Sequence, residues 1–218
     1  MSHFAVIFDM DGVIVDSEPV YAGWNEEMFR QLKITVPDEI KVKLIGGSTR
    51  RKWERIKEHC TLSQSIEELV QFQKQFFRDK DYPFHEILFP GVKPLLDELK
   101  NNQVPVALAS SSNKNRINKV IRDCKIENYF STVVSGEEFM ESKPNPDIFL
   151  YAASKLHMQP DKCIVIEDSW NGLTAASRAG MKKIGVRHAT IPMDLSSADK
   201  IITSLEEINY RKLVELVK

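Results

Sequence analysis

A chain of 218 residues, 42% hydrophobic and 28% charged with a formal net charge of −1, is large enough for one sizeable core and a smaller insert. Its near-neutral charge argues against a nucleic-acid binder, which shows a basic excess or stripe, and no apolar run approaches the roughly 20 residues that span a bilayer. The first residues lack a basic segment followed by a long apolar one, Cys60, Cys124 and Cys163 are scattered and odd in number, and the five histidines lack metal-ligand spacing. A reduced, cytoplasmic protein without a zinc site is expected.

In chain order, the first predicted element is the strand Phe4–Phe8, which runs straight into Asp9-Met10-Asp11-Gly12. Two carboxylates at i and i+2 repel each other, and a buried strand that ends on them needs compensation. The pair either marks an Asp-Gly turn where the chain surfaces or makes a place for something cationic. Residues 17–83 then change texture. Val20, Trp24 and Met28 recur at i+4 steps, and Ile66, Leu69, Val70, Phe76 and Phe77 line another helical face; together they predict a small all-α bundle inserted after the first strand. Trp24 reads as a core residue there or as a substrate contact. The basic run Arg50-Arg51-Lys52 and Lys74 read as a solvated face or as substrate contacts. Phe89-Pro90-Gly91 turns the chain back.

Further strands are predicted at 104–109, 132–134, 163–166, 183–186 and 200–202. Short apolar runs without polar alternation suit a parallel sheet covered on both faces. Between them, Ile117, Val120, Ile121 and Cys124 share a helix face, with Ser112 as the expected N-cap. Asn145 is the expected cap of the next helix, with Pro146 in its first position. Ala175, Ala176 and Ala179 make a slim helix that Gly180 ends. The alternation predicts a doubly wound, Rossmann-like α/β core of residues 1–16 and 84–218, interrupted by the helical insert at 17–83.

Three more polar stretches fall at the C-terminal ends of these strands, where open α/β sheets place ligands. Ser110-Ser111-Ser112 offer hydroxyls and amides at a helix start, as caps or as holders of a phosphate oxygen. Lys143, before Pro144, is either a surface lysine or a fixed counter-charge. Glu167-Asp168 follow a buried strand as a solvated loop or as half of an acidic site. Each is weak alone. Together, four carboxylates at one sheet edge call for a divalent cation, and an all-oxygen donor set suits Mg²⁺.

The ordered set "DMDGVIVDSEP", Ser110 in "ALASSSN", Lys143 in "SKPNPDIF" and "IVIEDSWNGLTAASRAGM" resembles the four motifs of the haloacid dehalogenase superfamily. A helical insert directly after the first motif is similar to the cap of its β-phosphoglucomutase-like branch. The resemblance implies Asp9 as nucleophile, Asp11 as general acid and then base, and Ser110 and Lys143 on the phosphoryl oxygens. It implies Mg²⁺ held by the Asp9 carboxylate, the Asp11 carbonyl and Asp168, with Glu167 nearby or through water. Ser111, Ser112, Gly46 and Arg50 are expected to bind substrate, the last two near the site mouth. Mutases of this branch carry a histidine shortly after the first motif, where this chain has Tyr21. They also carry an arginine after a glycine, which in Gly46-Gly47-Ser48-Thr49-Arg50 is displaced by about one position. Both departures favour a phosphatase of a small phosphorylated metabolite, most simply a sugar phosphate, over a sugar-phosphate mutase; a monomer is expected. A catalytically silent binding module is disfavoured by the intact Asp9, Asp11, Lys143 and Asp168, and a dehalogenase by Asp11.

Overall fold

The protein is described by a computed structural model at residues 3–44, 49–78, 80–189 and 193–218. It divides into two compact units, Met1–Ser17 with Pro83–Lys218, and Glu18–Tyr82. The first is built on a six-stranded parallel sheet. Its strands are β1 (Ala5–Phe8), β2 (Val106–Ser110), β3 (Thr132–Ser135), β4 (Cys163–Glu167), β5 (Lys182–Val186) and β6 (Lys200–Ile202), ordered 3-2-1-4-5-6. The helices of the whole chain are α1 (Glu18–Gln31), α2 (Asp38–Leu44), α3 (Thr49–His59), α4 (Ile66–Arg78), α5 (Val92–Asn101), α6 (Lys114–Asp123), α7 (Asp147–Lys155), α8 (Trp170–Arg178) and α9 (Tyr210–Leu216).

The strands are continuous apolar runs because both sheet faces are covered. Side chains alternate across the sheet, so Ala5 and Ile7 join Ala107, Ala109, Cys163 and Val165 in one cluster with Phe149 and Ala152 of α7 and Ala175 and Ala176 of α8. Val6, Phe8, Leu108, Ile164 and Ile166 point the other way and are equally buried. The chain first winds from β1 out to β3, then crosses back to lay β4 on the other side of β1. That reversal leaves a crevice between β1 and β4 at their C-terminal ends. Phe8 pairs with Ile166 on one side and with Leu108 on the other. Asp9, Ser110 and Glu167 therefore leave the sheet side by side.

Two helix starts differ from the sequence reading. Asn113, not Ser112, caps α6, its side chain accepting from the Arg116 amide; the Ser112 hydroxyl is engaged elsewhere. Helix α7 begins at Asp147 rather than Pro146, and Asn145 Oδ1 still accepts from the Asp147 amide at 2.9 Å. Gly180 takes up φ +72° just past α8, the left-handed position that ends a helix. The three cysteines are free, with Cys124 and Cys163 buried but Cys60 only half-buried. Burial pushes the Cys124 thiol up to about 11 and the Cys163 thiol to about 12, so neither is reactive at neutral pH. Among the described residues no helix is long and apolar enough to cross a membrane.

The unit Glu18–Tyr82 is all helical. Its core gathers Met28 and Phe29 of α1, Ile40 and Leu44 of α2, Trp53 and Ile56 of α3 and Leu69 of α4. The Phe29 ring meets the fully buried Trp53 edge-on at 6.2 Å. Trp24 is half-buried rather than a core residue. It packs with Tyr21 and Phe77 at centroid separations of 5.4 and 5.6 Å in a satellite aromatic cluster.

Candidate active site

The turn after β1 is shaped by the Met10 carbonyl, which accepts from the amides of Ile14 at 2.8 Å and Val15 at 3.1 Å. Gly12 takes φ +79° within it, and a Cβ there would lie 1.9 Å from Asp168 Oδ2. Only glycine permits both the backbone angle and the approach. The loop leaving β4 is thus pressed against the loop leaving β1. At the start of α8, Gly172 does the same for Glu167, whose Oε1 would meet an added Cβ at 1.8 Å. Ser169 caps α8, accepting from the Gly172 amide, and donates its own amide and hydroxyl to Glu167 Oε2, both at 2.8 Å.

Lys143 reaches the bottom of this crevice. Its ammonium donates to Asp9 Oδ1 at 2.5 Å, Glu167 Oε1 at 2.8 Å and the Ala109 carbonyl at 3.2 Å. Those are all three protons it has, and the Phe149 ring lies 4.7 Å from the nitrogen. The side chain is only 5% exposed, where an isolated ammonium would lose its proton. Burial pushes that way, but the Asp9 and Glu167 carboxylates outweigh it and hold the group charged. Asp9 goes up to about 7: burial raises it most, and Glu167 and Asp11 add to that against the pull of Lys143. Asp168 is raised well above the usual carboxylate range by burial, then by Glu167, Asp9 and Asp11.

Asp11 faces a different set of partners. The Ser17 hydroxyl donates to its Oδ1 at 2.6 Å, the Ser112 hydroxyl to Oδ2 at 3.0 Å, and Arg116 Nη2 to Oδ1 at 2.7 Å. Ser110 is buried, its hydroxyl accepting from the Ser112 amide at 3.1 Å. Ser111 is exposed at the same turn, its Cα close under Gly136. Asp9, Asp11, Ser110, Lys143, Glu167 and Asp168 are therefore gathered at one end of the sheet with Ser111 and Ser112. Arg50 is an exposed residue of α3 that pairs with Glu67 of α4 and, at 3.7 Å, with Glu54. Gly46 lies outside the described residues.

Arg116, Ser17, Ser169 and His188 do not emerge from sequence reasoning. His188 Nε2 donates to the Gly12 carbonyl at 2.8 Å, stands 3.7 Å from Asp168 Oδ2, and stacks on Phe89. Arg116 carried a signal: a cation in the first turn of a helix opposes the dipole and needs a partner elsewhere. Ser17, Ser169 and His188 carried none, since their partners are set by the packed loops.

Among the described residues no three acidic, histidine or cysteine side chains already enclose a metal position. Lys143 lies between Asp9 and Glu167, and the Asp11 carboxylate is engaged by Arg116. The donor chemistry nevertheless fits a hard divalent cation. Four carboxylates face two fixed cations, and the neighbouring carboxylates add to burial in raising Asp9 and Asp168. The Gly12 cradle presses Asp168 onto the Asp9–Gly12 turn. The residues that would hold Mg²⁺ are Asp9 and Asp168 through carboxylates and Asp11 through its carbonyl, with Glu167 beside them.

The haloacid dehalogenase-like hydrolase profile matches residues 6–186. The chain belongs to that family. A Thermotoga maritima protein named phosphorylated carbohydrates phosphatase is 32% identical over 188 residues, covering 85% of this chain and 86% of the relative. A Bacillus subtilis β-phosphoglucomutase is 30% identical over 218 residues, covering 97% and 94%. The crystal structure of β-phosphoglucomutase from Clostridium difficile superposes with a TM-score of 0.78 at 25% identity, covering 100% of this chain and 97% of that one. This haloacid dehalogenase-like hydrolase thus shares its architecture with both phosphatases and mutases.

Proposed function

We propose that this hydrolase is a Mg²⁺-dependent phosphatase of a small phosphorylated carbohydrate, working through an aspartyl-phosphate on Asp9. The observation that carries this reading is the buried Lys143 ammonium shared between Asp9 and Glu167. It spends a desolvated charge where a phosphoryl group would need one, and phosphoryl transfer asks chiefly for positioning and charge neutralisation. An Asp9 carboxylate oxygen attacks phosphorus and the bond to the ester oxygen breaks. Asp11 gives its proton to that leaving oxygen. Asp11 then takes a proton from water, which attacks the phosphorus and releases Asp9 and inorganic phosphate. Lys143 and Ser110 bind the transferring oxygens. Mg²⁺, when bound, supplies further neutralisation of their charge. The helical unit is read as the family's cap because it is inserted directly after the Asp9–Asp11 turn.

A second reading, a sugar-phosphate mutase, is favoured by the B. subtilis relative, which matches nearly the whole chain. Against it, Tyr21 stands at the position where such mutases carry a histidine, and its ring is packed against Trp24 and Phe77. The deciding experiment is phosphate release across a sugar-phosphate panel and p-nitrophenyl phosphate, with Mg²⁺ and with chelator. Mg²⁺-dependent release is expected; inactivity across the panel would count against the enzyme. Glucose 6-phosphate accumulating from β-glucose 1-phosphate without free phosphate would replace the phosphatase by the mutase.

A further inference from the structure

Arg116 is the third residue of α6, and no acidic residue shares its turn. The positive end of the helix dipole disfavours a cation there, so its placement needs a reason from outside the helix. The reason in the structure is Asp11, 105 residues away in sequence, whose Oδ1 takes the 2.7 Å hydrogen bond from Arg116 Nη2. The guanidinium is not a passing surface contact. Its side chain is 16% exposed, its backbone amide is fixed by the Asn113 cap, and its carbon lies 5.7 Å from the centre of the Phe84 ring. Its Nη1 also stands 3.5 Å from the Ser112 hydroxyl, which bonds the other Asp11 oxygen. Asp11 is thereby gripped at both oxygens, by Ser17 and Arg116 at one and by Ser112 at the other. Asp9, by contrast, has its cation in Lys143.

We propose that Arg116 is a positioning residue for Asp11: with Oδ1 held by Arg116 and Ser17, the proton for the leaving oxygen is carried on Oδ2, where the Ser112 hydroxyl turns to accept, a role that rests on the function proposed above. A planar guanidinium fixes direction as well as distance, which an ammonium does not. The benefit should scale with the need for the proton. The alkoxide of a sugar is a poor leaving group and depends on the acid, whereas p-nitrophenolate leaves well without it.

The test is kcat/KM, which reports steps up to phosphorylation of Asp9, for p-nitrophenyl phosphate and for the sugar phosphate that the wild type hydrolyses fastest. Arg116→Met is expected to lose about tenfold or more on the sugar phosphate and less than about threefold on the aryl ester, a fraction of what general acid catalysis supplies. Arg116→Lys should fall between wild type and Arg116→Met, which also guards against a folding failure of the larger change. In an Asp11→Asn background the Arg116→Met change should cost nothing more on the sugar phosphate. Equal losses on the two substrates, or full additivity with Asp11→Asn, would overturn the role of Arg116 while leaving the phosphatase intact. A wild type that hydrolyses no monoester removes the function and this role together.

Discussion

Lys143 and Arg50 each serve two carboxylates, and the two pairings mean different things. Lys143 in the α/β unit is 5% exposed and joins Asp9 to Glu167. Arg50 in the helical unit is 56% exposed and joins Glu67 to Glu54. The exposed set gains little, because water competes for every bond. The buried set is a weak way to hold a fold together, since a well-packed apolar trio would do as well or better without the desolvation. The helical unit follows that rule, with an apolar centre around Trp53 and its charges outside. Among the described residues the α/β unit breaks it at one sheet edge, which is where a reason other than stability has to be sought.

The largest effect that would test this contrast is at Asp9. Asp9→Asn should lower phosphate release by about a thousandfold or more, because an amide cannot serve as the nucleophile. The same change removes a buried charge that its surroundings resist, so the melting temperature of metal-free protein at pH 8 should hold or rise. A variant both inactive and markedly less stable would make Asp9 a structural residue. Next in size is Trp53→Ala, which should cost the helical unit about 3–5 kcal/mol. Read by hydrogen exchange, protection should fall across α1, α3 and α4 while β1 and β4 keep theirs. Loss spread evenly over both units would show that they unfold as one.

Much of the α/β unit is written in local sequence. Its strands are unbroken apolar runs, and β6 spans the predicted 200–202 while the others differ only at their ends. The acidic, hydroxyl and lysine stretches could be aligned because a parallel sheet puts every strand's C-terminal end on one edge. What stayed hidden is what arises between loops. Arg116 and Ser112 meet Asp11 across 105 and 101 residues, and no spacing rule spans such distances. The misplaced α6 cap has the same origin: Ser112 looks like a cap locally, but its hydroxyl is bonded to Asp11 and Asn113 takes the position. Trp24 looked like core because i+4 periodicity cannot tell a central face from a satellite cluster. Arg50 is legible as a charged helix residue, and its pairing with Glu67 comes from the packing of α3 on α4.

The smallest expected effect is the sharpest test of where the excess charge sits. Asp9 rises from 3.8 to about 7, so between those values the folded protein holds a proton that the unfolded chain has released. Its contribution to stability therefore falls as pH rises through that window, the reverse of an ordinary salt-bridged aspartate. Asp168 is shifted in the same direction. Above pH 7 Asp9 tends to its charged form, and a divalent cation relieves the repulsion among the clustered carboxylates. Mg²⁺ should accordingly raise the melting temperature more at pH 8 than at pH 5.5, with about 2–4 °C expected for each kcal/mol in a chain of this size. Asp9→Asn should shrink that difference, and Trp53→Ala, in the apolar centre of the helical unit, should leave it alone. Equal Mg²⁺ shifts at both pH values would mean that Lys143 and Arg116 already balance the site, and the contrast between the two units would then lie in packing and not in charge.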